Sequence, residues 1–361
     1  MIKDTWRVTG LMSGTSLDGL DMASCEFIHE GEKWSFKLVA SKSLAYDKSW
    51  HNRLKSSVDM SAVELLLLHN EYGTWLGQQV KLFIDENDLD LDFIASHGHT
   101  VFHQPEQGLT FQVGSGQHLA NACGLKVISD FRTQDVALGG QGAPLVPIGD
   151  QLLFSEYDLC LNLGGIANVS FDHHGERMAY DIGLANMLLN HLAGQLGLPY
   201  DDDGKMARSG TLDQELLDQL NALPYFQQPF PKSTGYEWFS AEVVPIVDKH
   251  KASTEDKLHT SVHHIVFQIA EAVKRSSHSG RLLATGGGAR NAFLTEMLRH
   301  HLNNNVEVVI PEPSIIDFKE AIVFAFMGVL KIRNEVNCLK SVTGAREDSS
   351  SGVVFLPAHN M

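Results

Sequence analysis

The chain has 361 residues, 43% of them hydrophobic and 20% charged, a globular composition that suits one or two domains and needs no disulfide or metal to hold a core. Its formal net charge is -16, from 28 Lys and Arg against 44 Asp and Glu, which opposes polyanions at long range and argues against nucleic acid as a partner. Cys25, Cys123, Cys160 and Cys338 form no C-x-x-C pair and no apolar run is long enough for a secretory leader or a membrane span, so a cytoplasmic protein with reduced thiols and no membrane partner is expected.

In chain order, the first signal is GLMSGTSLDGLD at residues 10–21. Trp6, Val8 and Leu11 precede it and Leu20, Met22, Ala23 and Phe27 follow it, which predicts two paired strands around a glycine- and serine-rich turn. Gly14 and Gly19 can take positive φ and let backbone N–H groups approach an anion. Ser13, Thr15 and Ser16 can donate to phosphate oxygens, while Asp18 and Asp21 can hold a hydrated Mg²⁺. The whole run Ser13 to Asp21, including Leu17 and Leu20, is therefore a candidate phosphate-binding turn. A decorated hairpin satisfies the same residue types.

Ser61 and Glu64 have capping-box spacing, and a long helix is expected to about Phe83 with Val63, Leu66, Leu67, Trp75 and Leu82 as its buried face. Residues 92–97 and 125–130 read as short buried strands. His97, His99 and His103 share a strand face, but no cysteine or carboxylate cluster accompanies them, so a metal site is disfavoured there. Residues 158–171 (DLCLNLGGIANVSF) repeat the first pattern, with Gly164 and Gly165 between two strand-like runs. That repetition suggests two similar halves facing a nucleotide cleft, although two unrelated hairpins would look the same. The lobe boundary is expected near residue 130, giving lobes 1–129 and 130–343, with the tail after Thr343 packing back on the first.

From Leu258, apolar residues recur at Val262, Ile265, Val266, Ile269 and Val273, an amphipathic helix. Residues 281–285 read as a strand running into Gly286, Gly287 and Gly288, then a helix from about Asn291 to Arg299 and another over 318–332. The alternation of patterns predicts an α/β protein.

The segments GLMSGTSLDGLD, SHGHTVFH, SDFR, ALGGQGAPLVP, NLGGIANVS, DIGLANMLLN, PKSTGYEWF, TGGGARN and VTGA occur in one fixed order. Together they resemble the anhydro-N-acetylmuramic acid kinase family, from the first strand to about residue 357. The resemblance implies a two-lobed fold of the actin, Hsp70 and hexokinase type built on ribonuclease-H-like βββαβα units, ATP and Mg²⁺ as cofactors, an amino-sugar substrate and a homodimer. It implies a reaction in which ATP and water convert 1,6-anhydro-N-acetylmuramic acid to N-acetylmuramic acid 6-phosphate in cell-wall recycling.

By the same resemblance Asp181, in AYDIGLAN, is the general base at the start of a helix. Taken alone it would read as a helix N-cap. Glu320, in KEAIVFAF, ranks second; alone it would be a first-turn glutamate complementing the helix dipole. The loops SHGHT and SDFR line the sugar side, so Thr100, Asp130 and Arg132 are candidates for its hydroxyl, amide and lactyl-carboxylate groups, Arg132 because a guanidinium binds a carboxylate with two parallel bonds. The glycines at 286–288 resemble the adenosine-side turn. The chain departs from the family where His99 replaces Gln, Ile182 and Leu184 replace Thr and Pro, and Tyr236 replaces Arg. Another sugar kinase of this fold and a non-catalytic ATP-binding homologue are the alternatives.

Overall fold

The computed structural model describes residues 3–14, 17–302 and 306–358. The chain divides into two compact units, Met1–Leu153 with Phe318–Met361, and Phe154–Asp317.

In the first unit, strands β1 (Thr5–Ser13), β2 (Gly19–Glu30) and β3 (Lys33–Ala45) form an antiparallel meander. Strands β4 (Phe93–Gln104) and β6 (Val127–Ser129) add in parallel beside β1, with β5 (Leu109–Val113) paired to the end of β4. In the second unit β7 (Leu159–Leu163), β8 (Ile166–His173) and β9 (Glu176–Leu184) are the meander, and β10 (Gly280–Thr285) and β11 (Val306–Val309) are the parallel additions. The orders β6-β4-β1-β2-β3 and β11-β10-β7-β8-β9 are one topology written twice. Its βββαβα succession is the ribonuclease-H-like unit, so the hairpin at 158–171 is a true counterpart of the first. The last strand, β12 (Val353–Phe355), pairs antiparallel with β6.

The boundary expected near residue 130 falls instead after Leu153. Long-range ties explain this. Asp135, 1% exposed, accepts from the Gly142 N–H at 2.7 Å and from the Thr343 hydroxyl at 2.7 Å, and Asp150 pairs with Lys319 at 2.7 Å. Residues 130–153 are thereby locked to the chain beyond 318.

Strand alternation in β1 sends successive side chains to opposite faces. On one face, Gly10 backs onto the helix Pro313–Ile332, where any Cβ would strike the Ala321 carbonyl. On the other, Leu11 joins Leu20, Met22 and Ile94 against Leu68, Tyr72, Leu76 and Phe83 of the helix Ala62–Asn87. Ser61 caps that helix in the predicted capping box. Its buried face is not the predicted one: Val63, Leu66, Leu67 and Leu82 are exposed, at 69, 57, 55 and 54%. The run VELLLL offers apolar residues on several sides, and the packing side is chosen by Gly73 and Gly77, whose missing side chains admit the backbone of Ser115 and Leu119.

The second unit packs its sheet against the helices Asn186–Gly194, Thr254–Ser276 and Ala292–Leu302, with Leu258, Val262, Ile265, Val266, Ile269 and Val273 buried as the periodicity predicted. The four cysteines are free thiols. Among the described residues no helix is long and apolar enough to cross a membrane.

Candidate functional site

The turn between β1 and β2 spans residues 14–18, of which Thr15 and Ser16 lie outside the described residues. Leu17 N–H donates to the Gly14 carbonyl at 3.2 Å, and Leu17 itself holds the left-handed conformation, φ 61°. Gly19 does not adopt the positive φ anticipated for it; its glycine is required because the Leu44 backbone of β3 presses against it. Leu20 lies in the core. Asp18 is exposed and has no hydrogen-bond or ion-pair partner among the described residues. Asp21 accepts from the Ser43 hydroxyl.

Ser13 differs from its expected role. Its hydroxyl is buried, accepts from the Tyr46 hydroxyl at 2.7 Å and bonds His99 Nδ1 at 3.0 Å, while Tyr46 also bonds Tyr72 at 2.6 Å. The hydroxyl is consumed inside the protein rather than offered to a ligand. Burial pushes the His99 imidazole down to about 4, so this residue is a neutral hydrogen-bonding ring.

Arg132 follows β6. Its Nε donates to His97 Nε2 at 2.9 Å and Nη1 to the Gly142 carbonyl at 2.5 Å. His97 Nδ1 meets the Gly98 carbonyl at 2.9 Å, which fixes the tautomer: Nδ1 carries the proton and Nε2 accepts. Burial and the Arg132 charge hold His97 well below the usual imidazole range. Removal from water lowers the Arg132 pKa, opposed by Glu320 and Asp135. No carboxylate ion-pairs with Arg132 among the described residues, and Nη2 remains for an anion. Asp130 sits at φ 62° and accepts weakly from the Thr133 N–H at 3.4 Å. Thr100 stands opposite Gln112 beside a bulge in β4. His103 bonds Thr110 at 3.1 Å, so no two of the three histidine rings share a partner.

Glu320 is not in a first helical turn; it lies in the interior of Pro313–Ile332. Its side chain is exposed by area, yet the surrounding protein atoms push its carboxyl above the usual range. Arg132 and Lys319 oppose that rise, and Asp21 adds to it.

In the second unit Asp181 caps no helix. It lies within β9, opposite Asn168, and the next helix starts at Asn186. Its Oδ2 accepts from the Ser233 hydroxyl at 2.9 Å and the Thr234 N–H at 3.1 Å. Its own N–H donates to the Lys232 carbonyl at 3.0 Å, and Tyr225 donates its hydroxyl to the Asp181 carbonyl at 2.6 Å. The Lys232 ammonium in turn donates to the Tyr225 carbonyl at 2.9 Å. Desolvation raises the Asp181 pKa; the bonds from Thr234 and Ser233 restrain the rise. The result is an oriented, half-buried carboxylate more basic than a free one, as a general base requires. The run PKSTGYEWF gives no local sign that its Ser233 and Thr234 meet Asp181, a contact made only by tertiary approach. Ile182 and Leu184 lie in the core at 4 and 3% exposure, whereas Tyr236 is 64% exposed.

Gly164 and Gly165 turn β7 into β8, and their carbonyls receive the N–H groups of Ala185, Asn186 and Met187. The start of that helix is satisfied from within. In the triplet, Gly286 takes φ 80° beside Asn162, and Gly288 packs on Leu163. Gly287 has no such cause: a Cβ there meets nothing nearer than Asn186 Nδ2 at 3.7 Å. Its flat face is open to a ligand.

Two α/β units of one topology, each opening on a glycine turn, define a duplicated ribonuclease-H-like protein. The anhydro-N-acetylmuramic acid kinase family model matches residues 6–357. The chain is 34% identical to the anhydro-N-acetylmuramic acid kinase of Gloeobacter violaceus, covering 95% of this chain and 96% of that one. It is 32% identical to that of Sulfurimonas denitrificans over 96% and 98% of the two chains, and 36% identical to that of Francisella tularensis subsp. novicida over 93% and 95%. The chain belongs to the anhydro-N-acetylmuramic acid kinase family, and is a kinase.

Proposed function

We propose that this enzyme uses ATP and water to open 1,6-anhydro-N-acetylmuramic acid and phosphorylate O6, yielding N-acetylmuramic acid 6-phosphate and ADP, as a cytoplasmic homodimer in cell-wall recycling. The observation that carries the reading is Asp181, a carboxylate aimed by the 232–234 loop and made more basic by its surroundings, in a chain of this family.

Water attacks C1 and gives its proton to Asp181 as the C1–O6 bond breaks. The freed O6 takes the γ-phosphoryl group and ADP leaves. Glu320 is the second catalytic carboxylate, after Asp181. Arg132, held by His97 and Gly142 with Nη2 to spare, takes the lactyl carboxylate, and Thr100 and Asp130 take hydroxyl and amide groups. The backbone of the 13–21 turn and of Gly164 and Gly165 contacts the phosphates, while Gly286, Gly287 and Gly288 admit the adenosine. The free carboxylate of Asp18 fits a hydrated Mg²⁺, which when bound would neutralise phosphate charge.

Mass spectrometry of products made in ¹⁸O-water tests this. A 6-phosphosugar labelled at C1, absent with Asp181→Asn, is expected. An unlabelled phosphosugar would mean transfer to a plain hydroxyl, and bound ATP without any phosphosugar would mean a non-catalytic homologue.

A further inference from the structure

On another flank of the second unit, histidines gather outside the groups assigned above. His259 and His263 stand one turn apart on the helix Thr254–Ser276, so their rings leave the same face. Their Nε2 atoms are 3.1 Å apart, and both residues are half-buried. His259 Nδ1 meets the Ala207 carbonyl at 2.8 Å. That nitrogen therefore carries the proton, and Nε2 presents a lone pair toward His263, whose Nε2 proton fills the gap.

We propose that His259 and His263 form a binding site for one divalent transition-metal ion of the zinc, nickel or copper kind. With metal–nitrogen bonds of about 2.05 Å, two imidazole nitrogens lie about 3.3 Å apart on a tetrahedral ion and about 2.9 Å apart as neighbours on a square-planar one. The observed 3.1 Å falls between these. The carbonyl bond at the far nitrogen of His259 is the outer contact that orients metal-binding histidines. Binding moves the His263 proton from Nε2 to Nδ1, with no net proton change. Among the described residues no third imidazole, thiol or carboxylate completes a cluster, so water fills the remaining positions. Mg²⁺, which selects oxygen ligands, is not taken here.

The chain holds 18 histidines, so the test needs positional controls. Full-length protein is titrated calorimetrically with Zn²⁺, and imidazole ¹⁵N signals are followed at less than one equivalent. One saturable site per chain is expected, weakened at least about tenfold in His263→Gln and unchanged in His51→Gln. The Nε2 signals of His259 and His263 should move together in the wild type, a readout that does not depend on either variant folding. Equal affinity in folded His263→Gln, or first shifts at other histidines, would overturn the site.

Discussion

The two units carry their raised carboxylates in different ways. Asp181 is held by a backbone N–H and a hydroxyl from one adjacent loop. Desolvation raises both carboxylates, but at Glu320 the rise is modulated by fixed charges, Arg132 and Lys319 drawing its pKa down and Asp21 adding to it. Short neutral bonds aim a carboxylate and tune it locally. Fixed charges couple it to every substitution that moves a charge nearby.

The largest effect should follow loss of the aimed carboxylate. Asp181→Asn is expected to lower kcat by about 10²–10⁴-fold, measured by sugar-dependent ADP release. It should not lower thermal stability at pH 7. The folded pKa of Asp181 is raised above the ordinary 3.8, so ionised Asp181 disfavours folding above the folded pKa. That penalty disappears as pH falls below 3.8, and unfolding curves of the two proteins measured across this range should converge with respect to it.

Next in size, Lys319→Met removes the cation that faces Asp150 in a buried site, the pair being 7% exposed on each side. A loss of about 3–5 kcal/mol is expected in denaturant unfolding. No comparable loss should follow removal of an exposed pair such as Lys205–Asp202. Arg132→Lys removes the planar group that bonds His97 and Gly142 at once while presenting Nη2. It should raise the KM for the anhydro-sugar about tenfold or more while leaving that for ATP near its wild-type value.

The smallest and most discriminating change is Ser233→Ala. Removing a donor to the charged form raises the Asp181 pKa further, so the acidic limb of the pH–rate profile should move to higher pH with little change at the plateau. An unmoved limb would show that Ser233 does not tune this base. A charge substitution near Glu320, such as Asp21→Asn, should instead lower the Glu320 pKa.

Much of the architecture was legible because period-two runs ending in glycine turns are local signals. The hairpin at 158–171, the helix from Leu258 and the strand into Gly286 all announce themselves within a dozen residues. The buried face of helix Ala62–Asn87 was not legible, since VELLLL is apolar on more than one side and the choice rests on Gly73 and Gly77 meeting a distant loop. Nor was the unit boundary, because Asp135 finds Thr343 and Cys338 across some two hundred positions. At the candidate site the residue types were visible in the motifs. The partners that set their chemistry, such as Ser233 and Thr234 for Asp181 or His97 for Arg132, are fixed only by tertiary approach.

Gly10 has a mechanical consequence. The strand leading into the 14–18 turn and the helix bearing Glu320 touch main chain to main chain, with no compressible side chain between them. Such a contact transmits displacement without slack. The strand at Gly10 and the helix at Ala321 therefore travel as one piece, and their spacing is set by the backbone itself rather than by rotamers that thermal motion could vary.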